Sequence, residues 1–189
     1  MIHPHALFIT YPLSITAVAL VLFYYWARLP KFAWKHPLLS IIIGYIASTI
    51  WIETFDYLPH YVDPTQAFNP YLFEDKPLQV ALIAFRMMGT ILITPIMAEV
   101  FWRGFIQRYF VTRDFLSIRP GVYTALSFWV TTLLFASVHQ AYGVAFLVGI
   151  LYSFWFVRTK SLGDIIITHA TTNLFLSIHV LQTGKWYLW

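Results

Sequence analysis

Six apolar runs follow one another along the chain, separated by short polar linkers: Ala6–Ala27, Pro37–Thr54, Leu78–Met97 continuing to about Phe110, Gly121–His139, Gly143–Val157 and Leu162–Leu181. The first covers about 22 residues, enough to cross a hydrocarbon core of ~30 Å and too long for the apolar part of a cleavable signal. The pattern predicts an all-α, polytopic transmembrane helix bundle of about six spans. It reads as one membrane-embedded domain over residues 1–189, with no internal repeat. The run from Gly143 to Arg158 is short, about 15 residues or ~22 Å as a helix. The turn before it is therefore expected to be sunk in the membrane. Non-helical backbone at that depth must sit inside protein or beside a wet cavity, which would place His139 there.

The linkers differ in charge. Arg28, Lys31 and Lys35 follow the first run, and Arg108, Arg113 and Arg119, against Asp114, follow the third. Arg158 and Lys160 follow the fifth. Between them lie an acidic linker with Glu53, Asp56, Asp63, Glu74 and Asp75, and the uncharged turn Gln140–Gly143. Basic linkers mark the cytoplasmic side, so the alternation predicts both termini outside. The Pro-broken stretch Asp56–Lys76 is expected to lie along the outer interface.

Composition narrows the class. Charged residues make up 11% of the chain, hydrophobic ones 59%, and mean hydropathy is +0.68. A soluble domain carries about a quarter charged residues, so a water-facing shell could not be built from this chain. The net charge of +4 records orientation rather than an acidic partner, and no basic face carries polar base readers, which argues against nucleic acid. With no cysteine, disulfides, thiolate catalysis and Cys-based metal centres are excluded. Trp186 and Trp189 read as interfacial anchors.

Ionisable residues inside spans are costly and mark function by default. They are Arg86, Glu99, Arg103, His139, His169 and His179, with Asn173 as an uncharged companion. Glu99 and Arg103 are four apart and share a helical face, as a structural ion pair or part of a site. Phe135 and His139 share another, where the histidine would cap, pack or line a pocket. His169 and Asn173 share a third, suited to holding an oxyanion or to joining helices by hydrogen bonds. His179 lies ten residues beyond His169 and off its face on a helical wheel. Arg86 lies near the acidic linker, toward which its chain would snorkel.

Glu…Arg, Phe…His and His…Asn, each at this spacing and in this order, resemble the CPBP family of type II CAAX prenyl proteases and bacteriocin-processing enzymes, also called the ABI family. The motifs of that family are Glu-Glu-x-x-x-Arg, Phe-x-x-x-His and His-x-x-x-Asn. The resemblance covers about Thr94 to Asn173, within a motif-bearing core of about residues 78–181. It implies a metal-independent, cofactor-free intramembrane endopeptidase of the glutamic type. There a carboxylate and a histidine activate water, and the later His and Asn hold the oxyanion. Carried over, His139 would hold water, His169 and Asn173 would receive the oxyanion, and Glu99 with Arg103 would support them. These side chains should then converge on one cavity. Ala98 stands where the family has its first Glu, the general base. Glu99, turned 100° away, cannot take that place. This chain would therefore be impaired, and its intact partners favour deliberate replacement at one position over drift.

The implied substrate is a hydrophobic or tail-anchored peptide or protein met among membrane lipids. The compact form suits a multi-pass protein of a prokaryotic cell membrane. Two alternatives stay open. A zinc peptidase would use His139, His169 and a carboxylate, although the His-Glu-x-x-His spacing is absent. A scaffold, immunity protein or transporter would use the polar residues as glue or a proton path.

Overall fold

The computed structural model describes residues 7–189, which form helices and no strand; Ala6, at the head of the first expected span, lies outside the described residues. The helices are α1 (Leu7–Tyr24), α2 (Pro37–Thr54), α3 (Lys76–Tyr109), α4 (Ala125–Ser137), α5 (Tyr142–Thr159) and α6 (Leu162–Thr183). All but α4 are long and apolar enough to cross a membrane.

Two expected boundaries are corrected. The fourth run does not become helical at Gly121. It starts after Thr124, whose hydroxyl accepts from the Ser127 amide while the Ser127 hydroxyl accepts from the Thr124 amide. This capping box satisfies two amides that a helix start leaves orphaned. The fifth run is not short, since Tyr142–Thr159 has 18 residues, about 27 Å at 1.5 Å per residue. The short helix is α4, with 13 residues. His139 thus sits in the turn where α4 stops early.

Helix α3 runs for 34 residues and changes pitch twice, with π-helical turns at Gly89–Ile93 and Val100–Ile106. The first precedes Pro95, which has no N–H and whose ring crowds the preceding turn. Widening that turn relieves the clash without breaking the helix.

Helices α2 and α6 pack closely because one side of α2 is small. Ser40, Gly44, Ala47 and Ser48 are buried. A Cβ on Gly44 would stand 2.5 Å from the Thr168 carbonyl oxygen and 2.7 Å from Thr171 Cβ. The close approach lets α6 threonines bond to the α2 backbone. Thr168 donates to the Ser40 carbonyl at 3.2 Å and Thr172 to the Gly44 carbonyl at 3.1 Å. In lipid, where apolar surface drives no association between helices, small residues and such bonds hold helices together.

The linkers sort by charge across the bundle. The carboxylate of buried Asp164 accepts from the backbone amides of Lys35 (2.9 Å) and His36 (3.1 Å). The Lys35 ammonium donates to the carbonyls of Thr159 and Lys160 at the end of α5. Gly121 packs on Lys160 as well, so the three basic linkers share one end. At the other end the acidic linker joins the Gln140 turn, with Tyr61 N–H donating to Gln140 O at 3.2 Å and Gly143 N–H to Pro59 O at 3.0 Å. Phe8 of α1 packs against Phe68 there, with ring centroids 4.7 Å apart. Trp186 and Trp189 correct the anchor expectation. Gly184, at φ 70°, turns the chain back, and Trp186 becomes buried against Tyr71 and Trp189. Only a residue without Cβ takes that φ freely.

Gly44→Ala should lower stability by about 1–3 kcal/mol, the usual cost of overpacking a close contact. Gly104→Ala, where the nearest neighbour of a new Cβ is 3.6 Å away, should be near neutral. Thermal unfolding of both variants in the same detergent checks the contrast.

Candidate functional site

A stripe at four-residue intervals on α3 carries Arg86, Thr90, Thr94 and Ala98. The first three line a cavity of about 250 Å³. The stripe is tied to α6 by a bond that Pro95 makes possible. In the π turn, the Thr94 amide donates to the Gly89 carbonyl. The matching donor for the Thr90 carbonyl would be residue 95, and proline has none. Asn173 of α6 supplies it, its amide nitrogen donating to Thr90 O at 2.7 Å. One N–H of that amide is thereby committed, which fixes how the rest of the group faces the cavity.

One turn past the π segment, Glu99 joins two helices. Its Oε1 lies 2.6 Å from Nδ1 of His169 on α6, and its Oε2 lies 3.2 Å from an Arg103 terminal nitrogen. Glu99 and Arg103 are both 0% exposed. The guanidinium also lies over aromatic faces, 4.8 Å from the Phe135 centroid and 5.5 Å from that of Tyr152. The Tyr152 ring is 5.3 Å from the His169 ring, and its hydroxyl donates to Thr172 at 2.7 Å. With Nδ1 held by the carboxylate, His169 presents Nε2 to the cavity.

His139 reaches the same cavity from the turn after α4. Its Nδ1 lies 2.7 Å from the Phe135 carbonyl oxygen. A carbonyl only accepts, so Nδ1 carries the proton and Nε2 keeps a lone pair. The imidazole packs against Phe135 at 4.5 Å and Trp51 at 6.1 Å between ring centroids.

His139, His169 and Asn173, from two different parts of the chain, therefore line one cavity. Glu99 and Arg103 do not open on it. They stand behind His169 and hold its ring. Ala98 is 7% exposed and one turn from Thr94, so a longer side chain there, leaning toward the helix N-terminus, would point at the cavity. Sequence reasoning missed Thr90, Thr94, Tyr152 and Trp51. The four-residue stripe ending at Ala98 was the available signal for the two threonines. Arg86 corrects the snorkelling expectation. Its guanidinium is caged by Tyr11 at 4.2 Å, Phe68 at 5.2 Å and Trp189 at 5.8 Å. Among the described residues no three of His, Asp and Glu group to hold a metal ion.

The fold and site define a class: an integral membrane helix bundle with an inward-facing polar cavity. A family model for the type II CAAX prenyl endopeptidases, Rce1-like, matches residues 80–175, just over half of the chain. The chain belongs to that family, a family of membrane proteases acting on peptide substrates. No curated protein and no solved structure matches it.

Arg103→Ala should cost roughly 3–5 kcal/mol, because it strands part of a buried charge cluster. The check is the melting temperature in detergent, where an unchanged value would mean that the pair is solvated.

Proposed function

We propose that the chain is an intramembrane endopeptidase of the glutamic type whose general base is missing because residue 98 is alanine. It would cut a C-terminal or membrane-proximal peptide. The observation that carries this reading is the cavity that His139, His169 and Asn173 share, with Glu99 and Arg103 buried behind it. A carboxylate at position 98 would take a proton from water while Nε2 of His139 orients it. The hydroxide so formed would attack the scissile carbonyl carbon. His169 and the free N–H of Asn173 would receive the oxyanion. Collapse would break the C–N bond, and the base's proton would pass to the leaving amine. The basic end of the bundle would face the cytoplasm, and both termini would then lie on the outer side. The substrate best suited to this site is a hydrophobic or tail-anchored segment entering from the bilayer.

Ala98→Glu should raise cleavage of hydrophobic C-terminal-anchor peptides by about 10²–10⁴-fold, the usual contribution of a general base. Ala98→Gln fills the same volume and should stay as inactive as the chain in hand. If the two variants behave alike, the peptidase reading falls. If the unaltered chain cleaves as fast as the Glu form, the base belongs instead to the Glu99–His169 pair.

Cleavage by Ala98→Glu should be indifferent to chelators. Stoichiometric zinc in chelator-washed protein, lost on His139→Ala, would point to a zinc peptidase.

A further inference from the structure

The basic end of the bundle carries a cavity that the proposed chemistry does not use. It measures about 250 Å³ and lies between the start of α2 and the end of α5, lined by His36, Leu39, Trp155, Arg158 and Thr159. Its walls are fixed from behind. The Trp155 indole N–H donates to the Ser40 hydroxyl at 3.1 Å, and the His36 ring lies 6.4 Å from the Trp155 ring. The Lys35 ammonium is held at the end of α5 by the carbonyls of Thr159 and Lys160, at 3.0 and 3.1 Å.

The charge around this cavity is one-sided. Residues 28–36 and 157–165 carry Arg28, Lys31, Lys35, Arg158 and Lys160 against Asp164. Asp164 is buried, and its carboxylate is taken up by the amides of Lys35 and His36. Arg158 is exposed and meets no carboxylate among the described residues. The first turn of α2 has no side-chain cap, so its free amides and the positive end of its dipole face the same end of the bundle. In the cavity wall, the buried Thr159 hydroxyl has no hydrogen-bond partner among the described residues. An orphaned hydroxyl costs free energy, and an anionic headgroup or the water it carries would supply the missing bond.

Two apolar stripes lead from the cavity along the spans. On α2, Leu39, Ile42 and Ile46 share one exposed face. On α5, the exposed Leu147 and Phe154 share a face with Arg158. Both helices are long and apolar enough to cross a membrane. A cationic cavity thus stands at the head of a lipid-facing apolar surface, which matches a phosphate headgroup with acyl chains below it. A free anion would use the cavity and leave the stripes idle. Basic pockets between spanning helices on the cytoplasmic side are suited to anionic headgroups.

We propose that this cavity binds the phosphate of an anionic phospholipid, with Arg158 and His36 contacting the headgroup and the acyl chains lying on α2 and α5. The bound lipid ties α2 to α5 beside the Lys35 and Asp164 clamps. The site is separate from the cavity of His139 and His169, and it stands whether or not the chain is a peptidase.

The test measures binding to the unaltered protein in a neutral detergent. Dioctanoyl phosphatidylglycerol, dioctanoyl phosphatidylcholine and inorganic phosphate are titrated separately, and bound ligand is read by native mass spectrometry. Phosphatidylglycerol should bind about five-fold or more tightly than phosphatidylcholine, the effect of one basic group near an anionic headgroup. Arg158→Gln should reduce that preference to less than two-fold, and Arg158→Lys should keep part of it. His36→Gln should lower phosphatidylglycerol binding at least two-fold. Arg113→Gln, in another basic linker, should leave the preference whole. Equal binding of the two lipids by the unaltered protein overturns the proposal, whether or not any variant folds. A preference that survives in folded Arg158→Gln overturns it too; should that variant not fold, unchanged binding by His36→Gln does so in its place. A preference lost equally in Arg113→Gln reports general surface charge and sinks the site. If inorganic phosphate binds as tightly as phosphatidylglycerol, the occupant is a free anion and the lipid assignment falls.

Discussion

The carboxylate of Glu99 is shut away from water, and the site depends on how it is compensated. Arg103, one turn on, supplies opposite charge at 3.2 Å, and His169 supplies a ring nitrogen at 2.6 Å. The first contact is local to α3, and the second reaches α6. A single buried group thus ties the long helix to the last one and sets the ring orientation of a cavity-facing histidine. Removing any member leaves the others in surroundings that solvate charge poorly, and such clusters are lost or kept together. The aromatic faces of Phe135 and Tyr152 over the guanidinium complete the enclosure.

Pro95 acts on the same pair of helices by what it lacks. Without an N–H at that position the Thr90 carbonyl has no helical donor, and the amide of Asn173 takes the role. The π turn that accommodates proline also keeps Arg86, Thr90 and Thr94 in register on the cavity wall. A backbone defect has become an anchor for a cavity-lining side chain.

These anchors hold because the helices come close. Small residues on α2 let threonines of α6 reach its carbonyls, and buried Asp164 clamps the first basic linker onto the start of α6. The basic linkers gather at one end and the acidic linker with the Gln140 turn at the other. The polar cavity shares Arg86 and Trp189 with another cavity of about 450 Å³ beside α1 and the acidic linker.

Much was legible in the residues themselves. Length and apolarity determined the helices, because backbone in lipid must bond within its own segment. Four-residue spacing determined which polar side chains share a face, including Glu99 with Arg103 and Phe135 with His139. Tertiary structure decided which faces meet. No local pattern says that Glu99 turns to His169, since the two are far apart in sequence and on separate helices. The folding back of Trp186 depends on Gly184 and on the surface that receives it, so an apolar ring at a chain end read as an anchor. Arg86 read as a snorkelling cation because its cage comes from α1, the acidic linker and Trp189. The short helix was misplaced by one element, because a capping box and not an apolar boundary sets where α4 begins.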